Sequence, residues 1–310
     1  MPYEKPKVLL ATPILAFVEP RLREHYGVIR AWECDAGEVF RDARALVCLG
    51  HQPVETFIAR CPDLGLIACY TTGYDGIDVG RVHERGLAVT HAPGATSYAV
   101  AEFALGLMLA AFRNLVVGDR MVRAGEWDAA TPMIGRSLSG ARLGVVGLGD
   151  IGVELARLAD AMGMEVAWWG PRPKPDAKWP RAPSLTELAT ASDVLAVCAR
   201  ADETNRGLIS AQVIEAVGPS GLIVNVARGQ LIDEDALIAA LRDGRLGGAA
   251  LDVFEAEPTP ASRWSGVPGM ITTPHIGGAT VQAASHMTRL LLENLACFFA
   301  GRPLPSPVLP

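Results

Sequence analysis

The apolar residues of this chain fall into two alternating patterns. In the first hundred positions, short apolar runs bounded by Gly, Pro or Asp recur as "KVLLAT" from Lys7, "ALVCLG" from Ala45, "LGLIACY" from Leu64 and "LAVTHA" from Leu87. Runs of that length and setting predict buried strands. Between them, "EPRLREHYG" from Glu19 and "PVETFIARC" from Pro53 space their apolar residues as helices do. Strand and helix in alternation predict a parallel α/β sheet. The stretch "SYAVAEFALGLMLAAFRN", residues 97–114, predicts a long helix that is apolar on most faces, and hence one buried against another domain or subunit. After it, "RMVRAGEWDAATPMIGRSL", residues 120–138, breaks the pattern and predicts an irregular connection or arm.

A second series starts at Arg142. Its strands are predicted at "RLGVVG", "EVAWWG", "DVLAVC", "GLIVNVA", "GGAALDV" and "GMITTP", with intervals long enough for crossover helices. A closing helix is predicted at "TVQAASHMTRLLLENLACFFAG", followed by a proline-rich tail. The result is two α/β units, one of residues 98–281 and one of residues 1–97 with 282–310.

Composition narrows the functions open to these units. Half of the 310 residues are apolar, a fifth are charged, and the formal net charge is -6, which argues against nucleic acid or an anionic membrane as the main partner. Small anions stay open, because a few arginines in a cleft outweigh the mean. The six cysteines are scattered without a CxxC pair or a metal-ligand spacing, so free thiols in a reducing cytoplasm are expected, and no metal. No run stays apolar over the roughly 18 residues of a membrane span. The first apolar run is broken by Pro13 and Glu19, which makes a signal peptide a poor reading.

The first chemical motif is "GLGDIG", residues 147–152, directly after a strand and at the opening of a helix. Gly147 permits the tight turn, Gly149 lets backbone approach a pyrophosphate, and Gly152 lets helix and strand pack closely, so a dinucleotide is expected there. An NAD site needs a carboxylate at the end of the next strand. Here that strand closes with Gly170, followed by Arg172 and Lys174. Two cations without a carboxylate suit the 2'-phosphate of NADP, although they also read as solvated loop charges.

Three residues then fall just beyond the carboxyl ends of parallel strands, the edge where open α/β sheets bind ligands. They are Arg228 in "NVARGQLID", Glu257 in "LDVFEAEP" and His275 in "TTPHIGGAT". Histidine suits proton donation near neutral pH, a neighbouring carboxylate favours the protonated form of an imidazole, and arginine can fork onto a carboxylate. His91 ends a strand as well, but no partner for it is visible.

In this order and spacing, "GLGDIG", "NVARG", "LDVFEAEP" and "TPHIGGAT" resemble the D-isomer-specific 2-hydroxyacid dehydrogenases. "TTGYDGIDV", residues 71–79, resembles that family's substrate loop, so the likeness covers nearly the whole chain. The glycine-closed strand with its cations is similar to the glyoxylate/hydroxypyruvate reductase branch. The resemblance implies a Rossmann-type cofactor domain inserted in a flavodoxin-like substrate domain, both doubly wound parallel sheets. It implies NADP(H), with NAD(H) as the alternative, and a homodimer built on the helix and arm after Ser97.

The same resemblance assigns residues. Arg228 would hold the substrate carboxylate and 2-oxo oxygen, His275 would be the acid/base, and Glu257 its paired carboxylate. Asp252 would orient the nicotinamide carboxamide. Asp150, Ile151, Cys198, Ala227 and Gly278 join Gly147, Gly149, Gly152, Arg172 and Lys174 as cofactor residues. Thr72, Gly73 and Tyr74 would grip the substrate with Arg228 and His275. The expected reaction is NADPH-dependent reduction of glyoxylate or hydroxypyruvate to the D-2-hydroxy acid. Larger acids such as phenylpyruvate or 2-ketogluconate, and a non-enzymatic dinucleotide-sensing scaffold like the corepressors of this fold, are the alternatives.

Some residues depart from the family pattern. "CARADETNRG", residues 198–207, replaces a Pro-Leu-Thr-Pro type loop and brings in Arg200, expected at the cationic rim of the cofactor site. Thr72 and Gly76 stand where Ala and Asn are frequent. Glu257 stands where the related formate dehydrogenases carry glutamine, which points to oxo-acid reduction.

Overall fold

The computed structural model describes residues 5–35, 37–128, 130 and 132–309. It divides into two compact units, Met1–Thr96 with Thr280–Pro310, and Ser97–Ala279.

The first unit runs β1 (Lys7–Leu10), α1 (Glu19–His25), β2 (Gly27–Arg30), β3 (Ala43–Cys48), α2 (Glu55–Arg60), β4 (Leu66–Cys69), α3 (Val79–Glu84) and β5 (Ala88–Thr90). All its strand pairs are parallel, in the order β2-β1-β3-β4-β5. This is the flavodoxin-like doubly wound order. Leu9, Leu46, Ile67 and Val89 are register partners across four strands and are wholly buried. Burial of each such side chain stabilises the unit by about 1.5–3 kcal/mol. Strand β2 was not among the predicted strands, because as an edge strand it is only half-buried along its length and carries no continuous apolar run.

The second unit runs α4 (Ser97–Phe112), α5 (Leu115–Ala124), β6 (Arg142–Val146), α6 (Asp150–Ala161), β7 (Glu165–Trp169), α7 (Leu185–Thr190), β8 (Val194–Val197), α8 (Ala211–Val217), β9 (Leu222–Asn225), α9 (Glu234–Arg242), β10 (Gly248–Leu251), α10 (Ala261–Trp264) and β11 (Met270–Thr272). The strand order is β11-β10-β9-β8-β6-β7, again all parallel. Beyond β7, the strand that would be third in a Rossmann sheet is reduced to a single parallel bridge between Trp168 and Arg181. Side chains alternate across this sheet. Leu143, Val145, Val194 and Ala196 pack into one core with α4 and α6, while Val146, Leu195, Val197 and Ile223 pack into another with α7, α8 and α9.

Helix α4 packs one face into the core of its own unit, which Val100, Ala101, Ala104, Leu107, Met108 and Phe112 enter. The stretch 120–138 is not irregular throughout, since its first residues belong to α5. That helix starts after Asn114 in a left-handed conformation and stops at Gly125, also left-handed. Its apolar residues Leu115, Val116 and Val122 are half-exposed or more, so no buried stripe announced it. Of the arm that follows, Ala129 and Thr131 lie outside the described residues. No single described helix is long and apolar enough to cross a membrane; α4 and α5, bent by 58°, pass that test only as a pair.

The chain closes with α11 (Val281–Phe299) in the first unit. The proline-rich tail after it is pinned rather than loose. Val308 N–H donates to the Val89 carbonyl at 2.8 Å, and buried Asn294 donates to Ser306 Oγ at 2.7 Å.

Candidate active site

Strands β9, β10 and β11 are neighbours, so the loops that follow them emerge side by side at one edge of the sheet. Those loops carry Arg228, Glu257 and His275. His275 Nδ1 lies 2.6 Å from Glu257 Oε2. An ionised carboxylate can only accept, which assigns the proton to Nδ1 and leaves Nε2 for a ligand. The second carboxylate oxygen, Oε1, accepts the Phe254 N–H at 2.9 Å. Burial pushes the Glu257 carboxyl up, but hydrogen bonds from the His275 ring and the Phe254 N–H, with the charges of a protonated His275 and of Arg228, outweigh it. The carboxyl is thereby held below its ordinary value. The side chains of His275 and Glu257 stay 47% and 36% exposed, open to a small ligand.

His275 itself sits in the left-handed region at φ +54°, where a non-glycine residue needs support. Asp252 supplies it. Its carbonyl accepts the His275 N–H at 2.8 Å, and its buried carboxylate accepts Thr273 Oγ1 at 2.6 Å, the Ile276 N–H at 2.9 Å and the Gly277 N–H at 2.8 Å. Gly277 must approach closely, since a β-carbon there would lie 2.9 Å from Asp252 Oδ2. Asp252, expected from the family to face the cofactor, therefore also holds the turn that carries His275 and leads to Gly278.

Asn225 plays the matching part for Arg228, and it was absent from the sequence-predicted site. It is 1% exposed; its Oδ1 accepts the Ala227 N–H at 3.0 Å and its Nδ2 donates to the Arg228 carbonyl at 2.9 Å. Arg228 is extended, with Nη1 donating to the Ala227 carbonyl at 2.7 Å. The only advance signal was an asparagine ending an otherwise apolar strand.

The glycine motif follows β6 as expected. Gly147 has φ +91°, and a β-carbon on it would fall 2.6 Å from Ala199 Cα; one on Gly152 would fall 2.1 Å from the Gly147 carbonyl oxygen. Gly149 differs, because nothing lies within 4 Å of where its β-carbon would be. It caps α6 with no side-chain hydrogen bond, and Asp150 and Ile151 open the helix. A glycine held open to solvent at the N-terminus of a twelve-residue helix fits a dinucleotide pyrophosphate. Buried Cys198 directly follows β8, its thiol pushed up to about 12 by burial, so it packs as a neutral wall; Ala227 is buried after β9.

At the end of β7 the structure gathers more cation than was predicted. Arg172 is exposed, Lys174 Nζ bonds back to the Leu148 carbonyl of the glycine turn, and Arg181 donates twice to the Gly170 carbonyl, at 3.1 and 2.7 Å. Arg181 lies eleven residues beyond Gly170 and only its bridge to Trp168 brings it there. Arg200 is exposed, with its charge near Asp202.

In the first unit, the loop after β4 turns its carbonyls inward. The Gly73 carbonyl accepts Thr71 Oγ1 at 2.8 Å, the Thr72 carbonyl pairs with His91 Nδ1 at 2.9 Å, and Tyr74 packs edge-on against the His91 ring. His91 thus has the partners the sequence did not disclose. Thr72 Oγ1 donates to the Ala92 carbonyl at 2.7 Å, so its hydroxyl serves the loop itself. Gly76 has no room for a side chain, since a β-carbon there would lie 2.4 Å from the His51 backbone.

Residues 105–277 match the profile of the D-isomer specific 2-hydroxyacid dehydrogenase, NAD binding domain. The chain is 34% identical over 308 residues to a glyoxylate/hydroxypyruvate reductase A of Arabidopsis thaliana, covering 97% of this chain and 98% of that one. It is also 34% identical over 309 residues to a hydroxyphenylpyruvate reductase of Plectranthus scutellarioides, with 97% and 98% covered. Among solved structures, an NADPH-dependent glyoxylate/hydroxypyruvate reductase of Sinorhizobium meliloti, in complex with NADP and malonate, superposes with a TM-score of 0.91 at 34% identity. That match covers 98% of this chain and 97% of the other.

Proposed function

Given that the chain belongs to the D-isomer-specific 2-hydroxyacid dehydrogenase family, which reduces 2-oxo acids to D-2-hydroxy acids with a nicotinamide dinucleotide, we propose that it is an NADPH-dependent reductase of glyoxylate or hydroxypyruvate. The observation that carries the chemistry is the 2.6 Å pair of His275 Nδ1 and Glu257 Oε2 beside Arg228 on the neighbouring strand edge. The reduced dinucleotide, when bound, supplies the hydride to C2. His275 gives the proton on Nε2 to the 2-oxo oxygen, so that acid, hydride and proton balance to the hydroxy acid. Glu257 keeps the ring oriented through its hydrogen bond to Nδ1. Arg228 forks onto the carboxylate and polarises the carbonyl, stabilising the developing alkoxide.

The second unit is the dinucleotide-binding domain in this proposal, with Gly147, Gly149 and Gly152 on the pyrophosphate. Arg172, Lys174 and the Gly170 end of β7, which lacks a carboxylate, carry the choice of NADPH. In the first unit, Thr72, Gly73 and Tyr74 grip the substrate through backbone, since their carbonyls and the Thr72 hydroxyl are committed inward. The exposed Leu115, Val116, Val122 and Trp127 support a homodimer formed through α5 and the arm. The scattered free cysteines support a cytoplasmic setting.

The substrate is tested by kcat/KM for glyoxylate, hydroxypyruvate, hydroxyphenylpyruvate, phenylpyruvate and 2-ketogluconate, each with NADPH and with NADH. The two small acids with NADPH are expected to lead. A lead for an aromatic or sugar acid would move the enzyme to another branch, and dinucleotide binding without any turnover would favour the sensing scaffold.

A further inference from the structure

Glu234 opens α9 immediately after its cap Asp233, and it is only 4% exposed, yet proton transfer as described makes no use of it. A carboxylate is buried at low cost only when its oxygens are paired. Here they are divided between two elements. Oε1 accepts the backbone N–H of Glu255 at 2.7 Å, and Oε2 accepts Nε of Arg263, from α10, also at 2.7 Å. Arg263 reaches Asp235 Oδ1 at 2.9 Å as well, which fixes the guanidinium between two side chains of α9.

The segment so held leads directly to the reacting pair. Glu255 follows Phe254, whose N–H binds Glu257 Oε1, and Glu257 Oε2 takes His275 Nδ1. Gly229, the neighbour of Arg228, abuts the same two residues: a β-carbon on it would fall 1.8 Å from the Phe254 carbonyl carbon and 2.2 Å from the Glu255 nitrogen. The backbone of Phe254 and Glu255 is thus gripped by Glu234 and packed against the Arg228 turn, and it sets where Glu257 stands relative to both.

We infer that Glu234 is a positioning residue: by holding the Glu255 N–H it fixes the loop that presents Glu257 to His275, and with it the orientation of the ring. The role rests on the proposed reductase chemistry, in which a misplaced acid loses rate steeply.

A double-mutant cycle on the full chain tests it. Glu234→Ala is expected to lower kcat for the 2-oxo acid by up to about 100-fold, while NADPH binding followed by fluorescence stays unchanged. Glu234→Gln keeps an oxygen for the Glu255 N–H and is expected to retain most of the rate. In a Glu257→Gln background, Glu234→Ala is expected to add little, because both act through one ring. A folded Glu234→Ala protein with undiminished kcat, or an equal loss in both backgrounds, overturns the role. If Glu234→Ala does not fold, Glu234→Asp, one methylene shorter, takes its place in the cycle. Should the wild-type protein reduce no 2-oxo acid, the proposed function fails by itself, and the downfield proton resonance of His275 Nδ1–H decides the positioning role. Loss of that signal in the variant supports the role, and its retention overturns it.

Discussion

The His275 N–H donates to the Asp252 carbonyl at 2.8 Å, while the Asp252 carboxylate accepts three further hydrogen bonds from residues on either side of that histidine. One residue, through its backbone carbonyl and its carboxylate, therefore stabilises a histidine in a left-handed conformation that few residues adopt. Asp252→Ala leaves the Ile276 and Gly277 N–H groups and the Thr273 hydroxyl without that acceptor, at about 1–3 kcal/mol for each group left unsatisfied. Only the Gly277 N–H is fully buried among these three, so denaturant unfolding is expected to find the variant less stable by about 1–3 kcal/mol. Asp252→Asn, which keeps one acceptor oxygen, should lose less. Equal stability of Asp252→Ala and wild type would remove this role.

The Glu257 carboxyl is lowered from its ordinary 4.5 in the folded protein, burial being outweighed by its hydrogen bonds and neighbouring charges. A group whose folded value lies below its unfolded value contributes stability that is complete above the unfolded value and lost as pH falls through the folded one. The contribution of this half-exposed pair is therefore present at neutral pH and disappears below about 4.5. Glu257→Gln is expected to flatten the dependence of unfolding free energy on pH in that acid window. A variant whose acid limb superimposes on wild type would contradict the ionised pair.

Much of this site was legible before the fold was known, because its parts occupy ends of strands. "NVARG", "LDVFEAEP" and "TPHIGGAT" each follow an apolar run, and parallel topology carries Arg228, Glu257 and His275 to one edge. The residues that hold them were not legible. Glu234 and the second duty of Asp252 depend on hydrogen bonds to backbone groups in other loops, which no local pattern encodes, whereas Asn225 serves its own loop and was hidden in an apolar strand end. Arg181 reaches Gly170 through a single bridge, too short to register as a strand. Strand β2 and helix α5 were missed for a related reason, since neither buries an apolar face.

The cofactor reading also has a direct handle. A β-carbon on Gly170 would meet only the Trp168 ring, at 3.3 Å, so Gly170→Asp is expected to fold with a small adjustment. Its carboxylate would repel a 2'-phosphate and bind ribose hydroxyls instead. The kcat/KM ratio of NADPH to NADH is expected to fall by roughly 10- to 100-fold, the worth of a hydrogen bond to a charged group. Arg172→Ala should lower the same ratio. An unchanged ratio in both variants would place the phosphate elsewhere.

In the proposed reaction His275 is the proton donor of a nicotinamide-dependent 2-oxo acid reduction. Its most direct test follows NADPH absorbance with glyoxylate for wild type and His275→Gln side by side, with NADPH binding to each measured by fluorescence. Rapid NADPH oxidation is expected of wild type and, in a variant that still binds NADPH, a kcat reduced by about 100- to 10,000-fold. Wild-type turnover in His275→Gln, or no oxidation by wild type with any 2-oxo acid, would contradict it.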